Sequence, residues 1–205
     1  MSENMRFIGL TGGVGAGKSQ LLEYMKEHYR CEIYLADEVA HMVKRKGTDC
    51  YFSLVKLFGK EVLDEAGEID SRKMADLIFA DGMLLGEVNA IIHPKVREYI
   101  VERMEAARQN PEIDLFIVEA ALLIETGYGS LVDEMWYVHT DDSIRKERLT
   151  ASRGYSNEKI MRIMENQLSE EEFRKNCDFV INNSGTLEES YRQIDQKLEA
   201  FSWQK

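Results

Sequence analysis

The chain has 205 residues, of which 44% are hydrophobic and 31% are charged, and its formal net charge is −11. This length and composition fit one globular domain with an insertion or a lid better than two full domains. The acidic excess argues against a nucleic-acid partner, because proteins that grip duplex nucleic acid usually present a basic face. An acidic protein that handles phosphates must gather its cations locally.

Five short apolar runs read as buried strands, and helical patterns lie between them. The strand runs are Phe7–Leu10, Ile33–Leu35, Ile113–Val118, Met135–His139 and Phe179–Ile181. A first helix is expected from Ser19 to about His28. A long helical stretch follows from Ala36 to about Arg108, and it is expected to bend or break at Pro94, which cannot continue the hydrogen-bond ladder. Strands alternating with helices predict an α/β fold with a parallel sheet.

Three hydroxyl residues late in the chain have the positions of helix N-caps. Ser156 precedes a helical pattern that reaches Leu168. Ser169 and Thr186 are each followed three residues later by glutamate, as in a capping box. One more helix is expected over 143–150.

The sequence also indicates the compartment. No apolar run approaches the roughly 20 residues that a membrane span needs, and the polar N-terminus lacks the pattern of a signal peptide. Cys31, Cys50 and Cys177 are odd in number and widely spaced, so neither a disulfide framework nor a metal knuckle is indicated. We therefore expect a cytoplasmic protein with reduced thiols and no membrane partner.

The most informative segment runs from Gly12 to Ser19 and satisfies the phosphate-loop pattern G-x-x-x-x-G-K-[ST]. Its glycines allow successive amide N–H groups to curl round a phosphate. Lys18 can reach the β- and γ-phosphates, and the Ser19 hydroxyl can bind Mg²⁺. The segment also follows a strand and precedes a helix, whose N-terminus attracts the same anion. A nucleoside triphosphate is therefore the expected ligand.

Several classes of protein share this loop. A GTPase normally uses an Asn-Lys-x-Asp segment for guanine, and no Asn-Lys pair occurs in the sequence. Asp64 and Gly67 imitate a GTPase D-x-x-G motif, but their polar surroundings favour an acidic turn. Remodelling ATPases are usually longer. A short chain with a helical insertion and late arginines fits a kinase similar to the nucleoside monophosphate kinases.

An ordered set of phrases along nearly the whole chain resembles the dephospho-coenzyme A kinase family. The phrases are Gly9–Ser19, Ala36–Ala40, Ile69–Lys73 with Ile78 and Phe79, Ile91–Pro94, Glu119–Glu125, Arg162 with Gln167, and Val180–Gly185. The phosphate loop alone is generic, whereas the ordered set is specific.

The resemblance implies a P-loop kinase-like parallel sheet flanked by helices, with a helical substrate-binding insertion and a helical lid. The nucleotide core is expected at about 1–35, 112–147 and 176–205, the insertion at 36–111 and the lid at 148–175. The implied reaction is ATP-dependent phosphorylation of the ribose 3′-hydroxyl of dephospho-CoA, which yields coenzyme A and ADP in the last step of coenzyme A synthesis. ATP and Mg²⁺ are the implied cofactors, and a monomer or small homo-oligomer is expected.

The implied ATP-binding residues are those of the loop and three later positions. They are Gly13, Val14, Gly15, Ala16, Gly17, Lys18, Ser19, Gln20, Arg148 and Asn183. Arg148 and Arg153 are both candidates for a lid arginine that neutralises charge during transfer. The family's arginine aligns with Ser152, so Arg153 matches only if the lid shifts by one residue, while Arg148 matches directly.

The acceptor side contains the main departure from the family pattern. The family's first motif aspartate, taken as the base, falls at Leu35. Asp37 follows the second strand and is expected near the acceptor hydroxyl or the metal, although it could also cap a helix. Either transfer needs little help from a base, or Asp37 takes over, or the protein is impaired. Two alternatives stay open for this reason: a kinase of another small alcohol or nucleoside, and a degenerate ATP-binding regulatory paralogue.

Glu119 ends an apolar strand, where a carboxylate is costly unless it is paired. It is expected either to support Mg²⁺ from the second coordination shell and contact substrate, or to form a structural ion pair. The other expected substrate contacts are Arg72, His93, Arg97 and Arg162.

Overall fold

A five-stranded sheet lies at the centre of the computed structural model, which describes residues 5–201. The strands are β1 (Arg6–Thr11), β2 (Cys31–Leu35), β3 (Leu115–Glu119), β4 (Glu134–His139) and β5 (Phe179–Asn182). Their order is β2-β3-β1-β4-β5. β1 pairs in parallel with both β3 and β4, and β4 pairs in parallel with β5. The predicted α/β fold with a parallel sheet is confirmed.

The central strands are apolar on both faces, as strands covered by helices on both sides require. Phe7, Ile8 and Leu10 of β1 are fully buried, and so are residues 115–118 of β3. The register places Phe7 beside Phe116, and their rings meet edge to face with centroids 5.1 Å apart. This packing fixes the register of β1 against β3.

Nine helices and two 3-10 turns account for most of the remaining chain between residues 5 and 201. The helices are α1 (Lys18–His28), α2 (Ala36–Val43), α3 (Asp49–Phe58), α4 (Ser71–Ala80), α5 (Met83–Arg108), α6 (Asp142–Arg153), α7 (Asn157–Glu165), α8 (Glu170–Asn176) and α9 (Leu187–Glu199). The 3-10 turns are Gly59–Val62 and Tyr128–Ser130. None of the helices between residues 5 and 201 is both long and apolar enough to cross a membrane.

The late helices begin where the capping residues predict. Ser156 caps α7, and Ser169 and Thr186 each form a complete capping box at the start of α8 and α9. In each box the hydroxyl accepts from one backbone N–H while a glutamate satisfies another. α7 ends at Glu165, three residues before the predicted end at Leu168.

Of the two outcomes expected at Pro94, a bend or a break, the break does not occur, because α5 continues through Pro94 over 26 residues. Proline removes one helical hydrogen bond. On either side of it, Val88, Ile92, Val96 and Ile100 recur every four residues and are all buried. The burial of this stripe outweighs the single lost bond.

The chain divides into two compact units. The first contains the described residues up to Ile33 and those from Ala106 onward, and it includes β1, β3, β4 and β5. The second is Tyr34–Glu105, which consists mainly of α2 to α5. Within the second unit, the polar segment after Val62 forms a turn in which the Gly67 amide donates to the Asp64 carbonyl, as predicted.

Candidate functional site

The phosphate loop joins β1 to α1 at the carboxyl edge of the sheet, where α/β proteins place their ligands. Two of its glycines are required by the geometry. A Cβ on Gly12 would lie 2.7 Å from the Val138 carbonyl oxygen, and a Cβ on Gly17 would collide with the Asn183 amide. Gly17 also has a φ of +87°, which favours glycine. The loop therefore packs tightly against β4 and the segment after β5.

Lys18 is held across the mouth of the loop by two oxygen atoms. Its ammonium donates to the Gly12 carbonyl at 2.7 Å and lies 3.3 Å from a carboxylate oxygen of Glu119. Only 12% of the lysine side chain and 19% of the glutamate side chain are exposed. The register that sets Leu10 beside Glu119 brings this carboxylate to the end of β1. Glu119 thus forms an ion pair, and its partner is the phosphate-loop lysine itself.

The Ala16 carbonyl anchors the second half of the loop. It accepts from the Asn183 side-chain amide at 2.7 Å, from the Thr140 hydroxyl at 2.9 Å and from Arg148 at 3.4 Å. These three donors come from parts of the chain more than 120 residues away. Since a carbonyl has only two lone pairs, the longer Arg148 contact is the weakest of the three. These contacts thus fix the conformation of the second half of the loop.

Asn183 was expected to bind ATP, and its side chain is fully buried beneath the loop. Its amide oxygen accepts from the Ser190 hydroxyl at 2.8 Å, while its amide nitrogen is used by Ala16. The arrangement supports the loop conformation, and a direct contact between this side chain and nucleotide stays a prediction. Thr140 and Ser190 were not identified from the sequence.

The two candidate lid arginines of α6 have different surroundings. Arg148 donates to the Ala16 and Asn183 carbonyls, so it lies at the loop. Arg153 is exposed near the end of α6, and its guanidinium lies 5.9 Å from the centre of the Tyr155 ring. The structure therefore brings Arg148, and not Arg153, to the phosphate loop.

Sequence reasoning missed Arg145, which also contacts the loop. Its guanidinium donates to the Val14 carbonyl at 3.1 Å and to the Gln167 side-chain oxygen at 2.6 Å. A methyl group on Gly13 would lie 2.6 Å from the guanidinium carbon. Arg145 precedes Arg148 by three residues, a spacing that puts both on one helix face and could have revealed it.

The residues present fit a magnesium ion that is completed by nucleotide. Ser19 lies exposed in the first turn of α1, and Glu119 ends the neighbouring β3. No group of three or more His, Cys, Asp or Glu side chains suited to a metal occurs within residues 5–201. Mg²⁺ usually takes one or two protein ligands together with water and substrate phosphates, so a small donor set is sufficient. Gln20 follows Ser19 and is also exposed.

The second unit carries the residues expected on the acceptor side. α2 begins at Ala36 with Leu35 at the N-cap position, so Asp37 is not the cap. Asp37 is exposed in the first turn of α2, where the helix dipole favours a negative charge. Lys44 is buried at the other end of α2, and burial lowers its pKa, although the charges of Cys50 and Asp37 oppose this shift.

The remaining expected substrate contacts lie on three helices. Arg72 is exposed in the first turn of α4. His93 and Arg97 are half-buried and four residues apart, so they share one face of α5. Arg162 is exposed on α7. Contact of these side chains with substrate stays a prediction.

The geometry agrees with what this chain is similar to. The family model described as dephospho-CoA kinase matches residues 6–189. The dephospho-CoA kinase of Aquifex aeolicus is 38% identical over 195 residues, which cover 95% of this chain and 97% of the relative. The chain belongs to the dephospho-CoA kinase family. The resemblance carried by the sequence phrases is thereby confirmed.

Solved structures place this member of the dephospho-CoA kinase family in the P-loop kinase fold. TT1252 from Thermus thermophilus aligns with a TM-score of 0.80 at 28% identity, over 98% of this chain and 100% of the other. A shikimate kinase from Acinetobacter baumannii aligns with a TM-score of 0.56 at 13% identity, over 98% and 97% of the two chains. This second similarity concerns the fold alone.

Proposed function

We propose that this chain transfers the γ-phosphoryl group of ATP to the ribose 3′-hydroxyl of dephospho-CoA, which yields coenzyme A and ADP in the cytoplasm. The observation that carries the proposal is the Lys18 ammonium, positioned by Gly12 and Glu119 within a chain of the dephospho-CoA kinase family. Transfer of a phosphoryl group depends mainly on positioning and on stabilising negative charge. This loop supplies both.

The donor half of the site is formed by the loop and the start of α1. The amide groups of the loop and the helix N-terminus attract the triphosphate. Lys18 exchanges part of its contact with Gly12 and Glu119 for phosphate oxygens, so its charge is available where negative charge develops. The Ser19 hydroxyl would hold Mg²⁺ with support from Glu119, and the ion would supply further charge neutralisation.

The acceptor half is assigned to the second unit. Asp37 is exposed at the start of α2 and is the carboxylate we assign to orienting the acceptor hydroxyl. Leu35, at the end of β2, cannot accept a proton. A loose transition state requires little early removal of the hydroxyl proton, so orientation by Asp37 is sufficient. Arg72, His93 and Arg97 are assigned to the anionic part of dephospho-CoA.

The lid, residues 148–175, closes over the triphosphate when both substrates are bound. Closure excludes water, so that the phosphoryl group goes to the sugar and not to solvent. Arg162 lies exposed on α7 within this segment and is assigned a contact with substrate phosphates.

The test is a coupled assay of ADP release with and without dephospho-CoA. We expect ADP release to be at least about tenfold faster with the acceptor, since a bound and oriented hydroxyl attacks the γ-phosphate far more readily than unpositioned water. Equal rates with and without dephospho-CoA would contradict the proposal. Arg192→Ala, an exposed change in α9 outside the assigned site, serves as the control for handling and folding.

A second candidate acceptor is favoured by one residue, Leu35, which stands where the family has its motif aspartate. A site without that carboxylate could accept a different small alcohol or a nucleoside. Comparing kcat/KM for dephospho-CoA, adenosine and pantothenate separates the two. A higher value for either of the last two would replace dephospho-CoA as the substrate.

A further inference from the structure

Gln167 interacts with the phosphate loop in the way a phosphate oxygen does. Its side-chain oxygen accepts from the Val14 amide N–H at 3.3 Å and from a guanidinium nitrogen of Arg145 at 2.6 Å. Both partners can only donate, so the atom that faces them must be the oxygen of the side-chain amide. One neutral acceptor therefore occupies both an amide of a loop built for an anion and a guanidinium N–H of α6.

The charge of Arg145 is incompletely compensated by its contacts. Its side chain is only 13% exposed, and its guanidinium contacts two uncharged oxygens, on Val14 and Gln167. Among residues 5–201, the one carboxylate paired with it is that of Asp142, at 3.2 Å, and that side chain is 69% exposed. An ion pair so open to water contributes little. A partly buried guanidinium beside a phosphate loop is thus available for a stronger anionic partner.

The position of Arg145 along the loop indicates which phosphate it meets. The Lys18 ammonium, which serves the β- and γ-phosphates, lies at the Gly12 carbonyl. Arg145 packs against the next two residues, Gly13 and Val14. Arg148 instead reaches the loop at Ala16, near the start of α1. Arg145 therefore lies at the first half of the loop, where the Lys18 ammonium is held, and Arg148 lies at the second half, where α1 begins.

We propose that Arg145 binds the terminal phosphate of ATP, and that the Gln167 oxygen occupies the same donors until that phosphate displaces it. This proposal deepens the proposed function, because it rests on ATP as the phosphoryl donor. Binding then exchanges a neutral amide oxygen for a charged phosphate oxygen, which forms the stronger hydrogen bonds. ADP has no terminal γ-phosphate and leaves Gln167 in place.

The surroundings of Gln167 allow it to leave the loop. It lies in the short connection between α7 and α8, where a side chain can turn without breaking a helix. A cavity of about 480 Å³ is lined by both Arg145 and Gln167, so there is room beside the loop for the displaced amide. Turning this side chain leaves the packing of α8 intact, because Phe173 is buried and stacks on Tyr137 with ring centres 4.6 Å apart.

The test compares binding of ADP and of the nonhydrolysable β,γ-imido analogue of ATP by titration calorimetry, with excess magnesium and no acceptor. In Arg145→Ala the ratio of the analogue Kd to the ADP Kd is expected to rise about 10- to 100-fold, as for a lost charged hydrogen bond. Arg192→Ala removes an exposed arginine of α9, outside the lid, and should leave the ratio unchanged. An equal loss of affinity for both nucleotides in Arg145→Ala would overturn the proposal.

A second variant keeps the proposal testable if Arg145→Ala fails to fold. Gln167→Leu keeps the side-chain size but removes the oxygen that competes with the terminal phosphate. The analogue Kd should fall severalfold while the ADP Kd stays the same. An unchanged or increased ratio would overturn the proposal. Because no acceptor is present, these binding results do not depend on whether dephospho-CoA is the substrate.

Discussion

The Lys18 ammonium lies 3.3 Å from the Glu119 carboxylate, although the two residues are 101 positions apart in the sequence. The parallel pairing of β1 with β3 brings them together, because it sets Leu10 beside Glu119 at the carboxyl end of both strands. The lysine is thus held at the mouth of the loop before any phosphate arrives. A prepositioned cation of this kind stabilises developing charge without reorganising during the reaction.

Replacing Lys18 with methionine keeps the length of the side chain and removes its charge. We expect kcat/KM for ATP to fall about 10²- to 10³-fold, comparable with the loss of one positioned donor in other enzymes. Lys26→Met, an exposed change in the last turn of α1, should leave kcat/KM within about twofold of wild type, since surface changes have small effects. Steady-state kinetics of both variants check this, and similar losses in the two would contradict it.

Glu119→Gln preserves the shape of the side chain but leaves Lys18 without its carboxylate partner. We expect kcat to fall about 10- to 100-fold, the range seen when residues that orient a ligand or its metal are changed. The exposed Glu125→Gln in the next loop is the matched control. If Glu119→Gln retains full kcat at saturating magnesium, Glu119 is only a structural ion pair.

Asn183→Ala tests the support beneath the loop. The substitution removes a fully buried amide that bonds both Ala16 and Ser190. The free energy of unfolding should fall by about 2 kcal/mol, because buried polar partners are left unsatisfied. Urea denaturation measures the change. The exposed Asn176→Ala should cost less than about 0.5 kcal/mol, and equal costs for the two variants would be evidence against the support role.

Alkaline pH should weaken the packing of α1 against α9. The Tyr24 hydroxyl donates to both carboxylate oxygens of Asp195, at 2.8 and 2.9 Å. Burial and this hydrogen bond raise the pKa of Tyr24 to about 12. In the unfolded chain the pKa is about 10, so the stabilisation is complete below pH 10 and is lost as the pH rises toward 12.

The stability difference between the wild type and Tyr24→Phe removes the contribution of titrating groups that do not share the hydrogen bond to Asp195. It should be constant from pH 8 to about pH 10 and should shrink by pH 12, because only the wild type loses a proton at this position on unfolding. Urea midpoints of both proteins across this range give the difference. A constant difference up to pH 12 would show that the hydrogen bond to Asp195 does not control the titration.

Much of the fold follows from local patterns in the sequence. The five apolar runs become the five strands, and the hydroxyl–glutamate spacings at Ser169 and Thr186 become capping boxes. The phosphate loop was also recognisable, because each position is fixed by the chemistry of phosphate binding. These features depend on neighbours within a few residues, which the sequence displays directly.

The features that the sequence did not reveal depend on distant contacts. Local propensity favoured a break at Pro94, but the burial of Ile92 and Val96 keeps α5 continuous. Nothing near Asn183 indicates that its amide turns toward Ala16, which is 167 residues away. Arg145 could have been identified from the sequence, because its i, i+3 spacing from Arg148 places the two on one face of α6.

The most direct test of the proposed reaction is the identity of the product formed from ATP and dephospho-CoA. Liquid chromatography with mass detection, combined with phosphorus NMR, locates the added phosphate. We predict coenzyme A phosphorylated at the ribose 3′-oxygen, formed in equal amount to ADP and strongly reduced in Lys18→Met. ADP without coenzyme A, or phosphate on another oxygen, would contradict the proposed function.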